Sequence, residues 1–448
     1  MKFIDLFAGI GGFHVGLSRL GFECVFACEI DADLRQLYNE NFGIAPVGDI
    51  RSIDPRSIPV HDVLCAGFPC QPYSKAGDQL GLDCEEFGDT LFRSVMRIVR
   101  FRRPRYLILE NVPNITRHDG GRTWHDRLRR RIRDAGYQVK AELLSPHQFG
   151  IPQKRQRFFA VASRGSLENF RWPTAKNTTP LSIKTILDNR PTEAIGLSDQ
   201  ATKCLEVWQE FLDLFPSDEQ LPSFPIWSME FGATYPYKQT TPSRLTDRAL
   251  RKYRGSHGVS LDKVAPDERW DLLPSHARTE QKRFPLWKQE FIRQNRELYA
   301  RHKKWIRPWT KRIREFPSSL QKFEWNCQGE ARSISNFVIQ FRASGVRLKR
   351  PTTAPSLVAM TTTQTPIIGW ERRYMTVREC ARLQSLNSLK YLPPTKTKAL
   401  KAIGNAVNAD IVERIGKNLC SGDSKAPRAK GQRKGRSMLG RSNLVGAR

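Results

Sequence analysis

No two cysteines of this 448-residue chain stand in a CxxC pair. The nine lie scattered at 24, 28, 65, 70, 84, 204, 327, 380 and 420. An odd, unpaired set argues against a disulfide framework and against a zinc site, and leaves a reducing cytoplasm as the natural compartment. Long apolar runs are missing too. None approaches the ~18 residues that cross a bilayer, and glycines and an aspartate interrupt the opening MKFIDLFAGIGG where a secretion signal needs a continuous apolar region. There is no GxxxxGK[ST], so a triphosphate is not implied, and no internal repeat. Acid is scarce: 45 Asp plus Glu face 74 Lys plus Arg, a net charge of +29. In a chain that is 39% hydrophobic, and so able to fold, that imbalance points to a polyanionic partner, nucleic acid first. A basic surface kept for solubility is the alternative.

The length implies two or three domains. Residues 2–7 (KFIDLF) read as a strand that runs into the turn AGIGG at 8–12 and then a helix ending near Leu20, with Gly21 as its stop. Glycines there let the backbone pass close to a ligand. A second strand, 24–30, delivers Glu29 about 20 residues on, where a carboxylate can accept from ribose hydroxyls, so the pair signals a nucleoside cofactor. Asp49 ends a possible third strand at 47–50, placed either for an adenine amino group or to cap the following turn.

The apolar run 62–66 is a buried strand broken sharply by GFPCQPYS at 67–74. Cys70 stands at its exit, where open α/β sheets hold ligands, and is either a nucleophile or a structural thiol. Residues 75–89 read as a mobile loop able to close over a substrate, and 90–101 as an amphipathic helix. A fifth strand, 106–109, ends in Glu110. A glutamate after four apolar residues gains proton affinity by desolvation, unless it merely caps a turn. QKRQR at 153–157 enters a strand at 158–162, as a solvated edge or as a clamp on a phosphate and a base oxygen.

Beyond Trp172 the alternation decays into Pro-, Trp- and base-rich islands. Residues 277–316 hold thirteen Lys plus Arg against four Asp plus Glu, interleaved with Phe284, Trp287, Phe291, Tyr299, Trp305 and Trp309. That mixture fits a surface lying on a nucleic-acid backbone; a solvated helix face with buried aromatics is the other reading. RECARLQSL at 378–386 suggests a short helix, and AIGNAVN at 402–408 a glycine turn opening another. The last 28 residues, with eight Lys plus Arg and one Asp, read as a disordered basic tail.

Taken in order, DLFAGIGG, Glu29, GDI, GFPCQPYS, ENV at 110–112, QKRQR, RECARLQ and GNAVN resemble the DNA (cytosine-5) methyltransferase family, over residues 2–163 and again from 354 to 417. The resemblance implies an α/β fold, a Rossmann-like class I methyltransferase sheet with a smaller, irregular target-recognition domain. It divides the chain into a catalytic and cofactor-binding domain (1–172), a recognition domain (173–392), a segment returning to the catalytic domain (393–420) and the tail (421–448). The implied cofactor is S-adenosyl-L-methionine, surrounded by Phe7, Ala8, Gly9, Gly11, Glu29, Ile30, Asp49, Ile50, Pro69, Leu91, Asn405 and Ala406. Ile30 stands where the family mostly has an aromatic residue, and Ser356 and Leu357 where it has threonine and leucine.

The implied chemistry makes Cys70 the nucleophile at carbon 6 of cytosine and Glu110 the partner of ring nitrogen 3. Arg155 and Arg157 hold the base oxygen or its phosphate, and no metal takes part. The expected partner is double-stranded DNA, bound by a monomer in a bacterial cytoplasm at the nucleoid, with a cognate restriction endonuclease sharing the site. Two other readings compete. An RNA methyltransferase would carry a smaller recognition region and another residue in place of Gln71. A catalytically silent DNA-binding repressor would need a broken site or an added module, for which a first strand at residue 2 leaves no room.

Overall fold

A computed structural model describes residues 1–69, 82–116, 123–175, 180–262, 264–357 and 364–421. Cys70, residues 75–81 of the expected loop and the tail beyond Ser421 lie outside the described residues. Residues 82–89, expected as loop, are instead the start of a helix that runs from Leu82 to Arg102, longer than the 90–101 expected.

In chain order the first part comprises β1 (Lys2–Leu6), α1 (Gly12–Ser18), β2 (Glu23–Cys28), α2 (Ala32–Phe42), β3 (Val63–Gly67) and α3 (Leu82–Arg102). It continues with β4 (Tyr106–Asn111), α4 (Arg130–Asp134), β5 (Gln138–Leu144) and β6 (Arg157–Ser163). The strands form one sheet in the order β2-β1-β3-β4-β6-β5. β1 to β4 are parallel neighbours, while β6 runs antiparallel to β4 and β5. Strand order reverses between β1 and β3, so a crevice opens at their carboxyl ends, the place where such sheets bind ligands. The sheet is apolar on both faces because its strands alternate into two cores. Ile4, Leu6, Leu64, Ala66, Leu107 and Leu109 pack on α3 through Leu91, Val95 and Ile98. Phe3, Val63, Cys65 and Ile108 face the other way, onto Phe13, Leu17 and the C-terminal helix.

The expected third strand is shorter than predicted. A single bridge pairs Val47 with Cys28, and the chain then turns into a 3₁₀ segment, Ile50–Ser52, whose N-cap is Asp49. β5 was not anticipated; as an edge strand it is mostly half-buried, and Val139, Ala141 and Leu143 alternate only weakly against it.

The second part comprises α5 (Asp199–Leu214), β7 (Ile226–Trp227), α6 (Asp247–Leu250), α7 (Pro266–Asp271), α8 (Leu286–Ile313), β8 (Lys322–Asn326), β9 (Val338–Arg342), β10 (Gly345–Lys349), β11 (Ile367–Ile368) and β12 (Arg373–Tyr374). Its sheet runs β12-β11-β9-β10-β8-β7. The expectation that the aromatics of 277–316 lie against nucleic acid needs correction. Phe284 and Trp309 are buried, and Phe291, Tyr299 and Trp305 pack half-buried against the cores beneath α8. Phe291, Leu298 and Trp305 recur every seven residues, which on a helix makes one inward stripe. Among these six aromatics only Trp287 is well exposed, at 56%.

The chain ends in α9 (Val377–Leu383), α10 (Lys396–Asn405) and α11 (Ala409–Cys420). A capping box between Thr376 and Glu379 starts α9, and the buried Glu379 also takes both Nη atoms of Arg373 at 2.9 Å. The glycine turn expected near 404 is instead the last turn of α10, and Asn408 caps α11. α11 crosses α1 closely. A Cβ on Gly16 would sit 2.6 Å from the Ala409 carbonyl oxygen, so only glycine permits the approach. Val338 and Ile368 of the second sheet share an apolar cluster with Ile10, Leu357, Leu383 and Ile403, which joins the two parts.

Candidate active site

The turn after β1 is held by its own backbone. Phe7 (φ 59°), Gly9 (φ 54°) and Gly11 (φ 85°) all adopt left-handed conformations. Gly11 N donates to Ala8 O at 2.8 Å, and a Cβ on Gly11 would strike the Phe42 ring at 2.3 Å. Above Gly9 the space is open, with nothing within 4 Å of where its Cβ would stand. Glu29 reaches this turn from β2: its Oε2 accepts from Gly9 N at 2.8 Å and its Oε1 from Asp31 N at 3.0 Å. Ile30 beside it is 65% exposed, an apolar side chain left uncovered at the mouth of the crevice.

Phe7, Ile50 and Leu91 meet in one apolar cluster below the same crevice. Asp49 performs the capping alternative: its Oδ1 accepts from Arg51 N at 2.9 Å, and the Arg51 guanidinium pairs with Oδ2 at 2.5 Å and holds the carboxyl below its usual range. Pro69 follows the buried Phe68 at the exit of β3. Asn405 is exposed at the end of α10, and Ala406 shares an apolar cluster with Ile10. An open space over a glycine, an uncovered apolar side chain and a carboxylate at the end of β2 are of the kinds that fit an adenosyl group.

β4 runs two residues past its expected end at 109, so Glu110 lies within it as the penultimate residue. It is 8% exposed, and Arg157 Nε lies 3.3 Å from its Oε1. Burial pushes the carboxyl up, and the charges of Arg157 and Arg155 pull it partly back. The charges of both arginines reach Glu110, but their hydrogen-bond partners differ. Arg155 is 2% exposed, and its guanidinium donates to the carbonyls of Leu357, Gly404 (2.6 Å) and Ala406 (3.3 Å). It clasps the return of the chain to the first domain, while Arg157 is the arginine paired with Glu110. Alternation along the extended segment explains the split, since neighbours two apart share a face only where the strand is regular, and Arg155 precedes β6.

Two supporting residues escaped sequence reasoning. Asn111, 1% exposed, donates from Nδ2 to Phe68 O at 3.1 Å and accepts from Val112 N at 2.8 Å, so it pins the backbone two residues before Cys70. An asparagine closing a buried strand was the available signal. Asp5, fully buried under the glycine turn, accepts from the Tyr38 hydroxyl at 3.3 Å, and burial pushes its carboxyl well up.

Over residues 1–421 the sequence matches the family described as C-5 cytosine-specific DNA methylase. It is 30% identical over 480 residues to the Type II methyltransferase M.AluI of Cellulosimicrobium cellulans, spanning 92% of this chain and 91% of that protein. The Type II methyltransferase M.HhaI of Haemophilus parahaemolyticus is 42% identical over 175 residues, 39% of this chain and 53% of that one. Among solved structures, a protein described as a DNA modification methyltransferase encoded within an E. coli prophage superposes with a TM-score of 0.50. At 19% identity over 94% of this chain and 99% of that one, this likeness shows the fold alone.

Proposed function

The chain belongs to the C-5 cytosine-specific DNA methylase family, and from that premise we propose that it methylates a flipped-out cytosine within a specific duplex DNA sequence, as the modification enzyme of a restriction-modification system. The observation that carries the reading is the meeting of Glu110, Arg157 and the exit of β3 at Gly67, at the carboxyl ends of neighbouring strands and three residues before Cys70.

Carbon 5 of cytosine is too poor a nucleophile to act unaided. Addition of the Cys70 thiolate at carbon 6 pushes electrons into the ring and makes carbon 5 reactive. Charge then builds at ring nitrogen 3, where Glu110, whose proton affinity burial raises, donates a hydrogen bond. Arg157 orients that carboxyl and reaches the base oxygen. S-adenosyl-L-methionine, when bound over Gly9 beside Glu29, supplies the methyl group. Loss of the carbon 5 proton and expulsion of the Cys70 thiolate restore the ring. None of these atoms is accessible inside a duplex, so the base must leave the stack.

Residues 1–172 and 393–420 would perform this chemistry, and 173–392 would read the sequence. A monomer on DNA suffices, at work in the bacterial cytoplasm on the nucleoid, and an endonuclease cutting the same site is the expected companion. Bisulfite sequencing of DNA from cells expressing the chain tests the proposal. One cytosine in one short sequence context should be protected throughout, and protection nowhere would reject it.

A further inference from the structure

The second sheet turns a polar face to the same side as its joint with the first. On β9, Ile339 and Phe341 enter the core shared with α5 and α8, while Val338 packs on the joint. Side chains alternate along a strand, so Gln340 and Arg342 share the face of Val338. Register extends this face: Arg347 on β10 stands opposite Gln340 and Glu324, and Lys349 opposite Val338. Outward from the joint the face therefore reads Lys349, Arg347, Arg342.

Across the joint lies Lys154. Its backbone N donates to Ala354 O at 3.3 Å, and its side chain is exposed three residues before Arg157. With Ser145, His147, Gln148 and Gln156 it lines an open recess of about 490 Å³. The charge of Lys154 is felt at Lys349, so the cations extend from the second sheet across the joint to the segment that leads into Arg157.

Their counter-charge is meagre. Among the described residues Glu324 is the acid on this face, and Arg347 occupies it, with Nε and Nη2 at 2.6 and 2.5 Å from Oε2. Arg342 Nε donates to the neutral Gln340 Oε1 at 2.6 Å, and the Glu324 charge reaches it only as a smaller influence than burial and the Arg347 charge. Lys349 is pushed down first by burial and then by the charges of Arg347, Arg342 and Lys154. Half-buried cations that crowd one another are costly, and a row of phosphates removes the cost.

We propose that Lys154, Lys349, Arg347 and Arg342 form one strip that seats the phosphates of a DNA strand beside the flipped cytosine, and that Glu324 competes internally by holding the Arg347 fork until a phosphate replaces it. The guanidinium fork suits either acceptor, because carboxylate and phosphate offer the same paired oxygens. The strip fixes position and carries no sequence information, since every phosphate looks alike. This inference rests on the DNA reading above and adds where the backbone lies and what restrains it.

The test is the salt dependence of duplex binding by the full chain, on a duplex carrying the site found by bisulfite sequencing and on an unrelated one. Lys154→Gln, Lys349→Gln and Arg342→Gln should each reduce the slope of log affinity against log salt by about 0.9 on both duplexes, and the methylated cytosine should stay the same. Glu324→Gln should bind the unrelated duplex more tightly, with a slope steeper by up to about 0.9. Unchanged slopes in Lys154→Gln and Lys349→Gln would overturn the strip, as would a shift in the methylated site. Unchanged or weaker binding by Glu324→Gln would remove the competitor. Lys154 is a surface residue, so its variant keeps the test decisive if a β10 variant misfolds. A wild-type chain that methylates no duplex refutes the function itself, whereas an active wild type with unaltered slopes refutes the strip alone.

Discussion

Arg157 Nε stands 3.3 Å from Glu110 Oε1, across the antiparallel junction where β6 begins and β4 ends. The strand pairing sets Phe159 opposite Glu110 and Phe158 opposite Asn111, so Arg157 overhangs the end of β4 and reaches back to the carboxyl. Two opposed influences meet there. Burial favours the protonated acid and the nearby guanidinium favours the carboxylate, with burial the larger.

The nucleophile is tested with fluorine at carbon 5 of the target cytosine. Thiolate addition and methylation can proceed, but fluorine cannot leave as a cation, so the adduct is trapped. A complex stable on denaturing gels should form with the cofactor present, at one DNA per protein, and map to Cys70. Cys70→Ser should abolish it, because a serine hydroxyl is hardly ionised at neutral pH, and Glu110→Gln should slow it by about 10²- to 10⁴-fold. Trapping of Cys70→Ser at the wild-type rate would transfer the role to another cysteine.

Glu110 also makes stability depend on pH. A carboxyl that binds its proton more tightly when folded stabilises the fold at low pH, and that contribution disappears as pH rises through the folded value. The shift is upward from the ordinary 4.5. The difference in Tm, Glu110→Gln minus wild type, should therefore grow as pH is raised from below 4.5 toward neutrality. A difference that stays flat would mean that Arg157 fully offsets the burial.

The two arginines should fail differently. Arg155→Met strands the carbonyls of Leu357, Gly404 and Ala406, and bonds to a charged donor in a buried site are worth enough that stability should fall by about 3 kcal/mol. Arg157→Met should move the urea midpoint far less and lower the single-turnover rate by about 10²- to 10³-fold. Equal losses of stability would erase the distinction drawn between them.

Asn111→Asp keeps the size and the acceptor for Val112 N but cannot donate to Phe68 O. If that bond positions the approach to Cys70, kcat should fall by about 10- to 10²-fold. The KM for the cofactor should hold, and trapping should slow in parallel. A rise in KM with kcat unchanged would place Asn111 on the cofactor side instead.

What the sequence determined by itself is local. Short continuous apolar runs punctuated by glycine and proline set β1, β3 and β4, and Glu110 follows its run directly, so its place near the end of β4 was legible. Glu29 could be placed because one strand, turn and helix separate it from the glycine turn, a distance that chain geometry limits. Only the tertiary structure decided the rest. Arg155 and Arg157 look alike in sequence, yet the partners of Arg155 lie 202 to 251 residues away, so nothing nearby in the chain distinguishes a buried clasp from a reactive neighbour. The aromatics around α8 and the cations of the second sheet show the same limit. A side chain carries its chemistry in its own type, but its exposure and its charge partner depend on which distant segments exclude water around it.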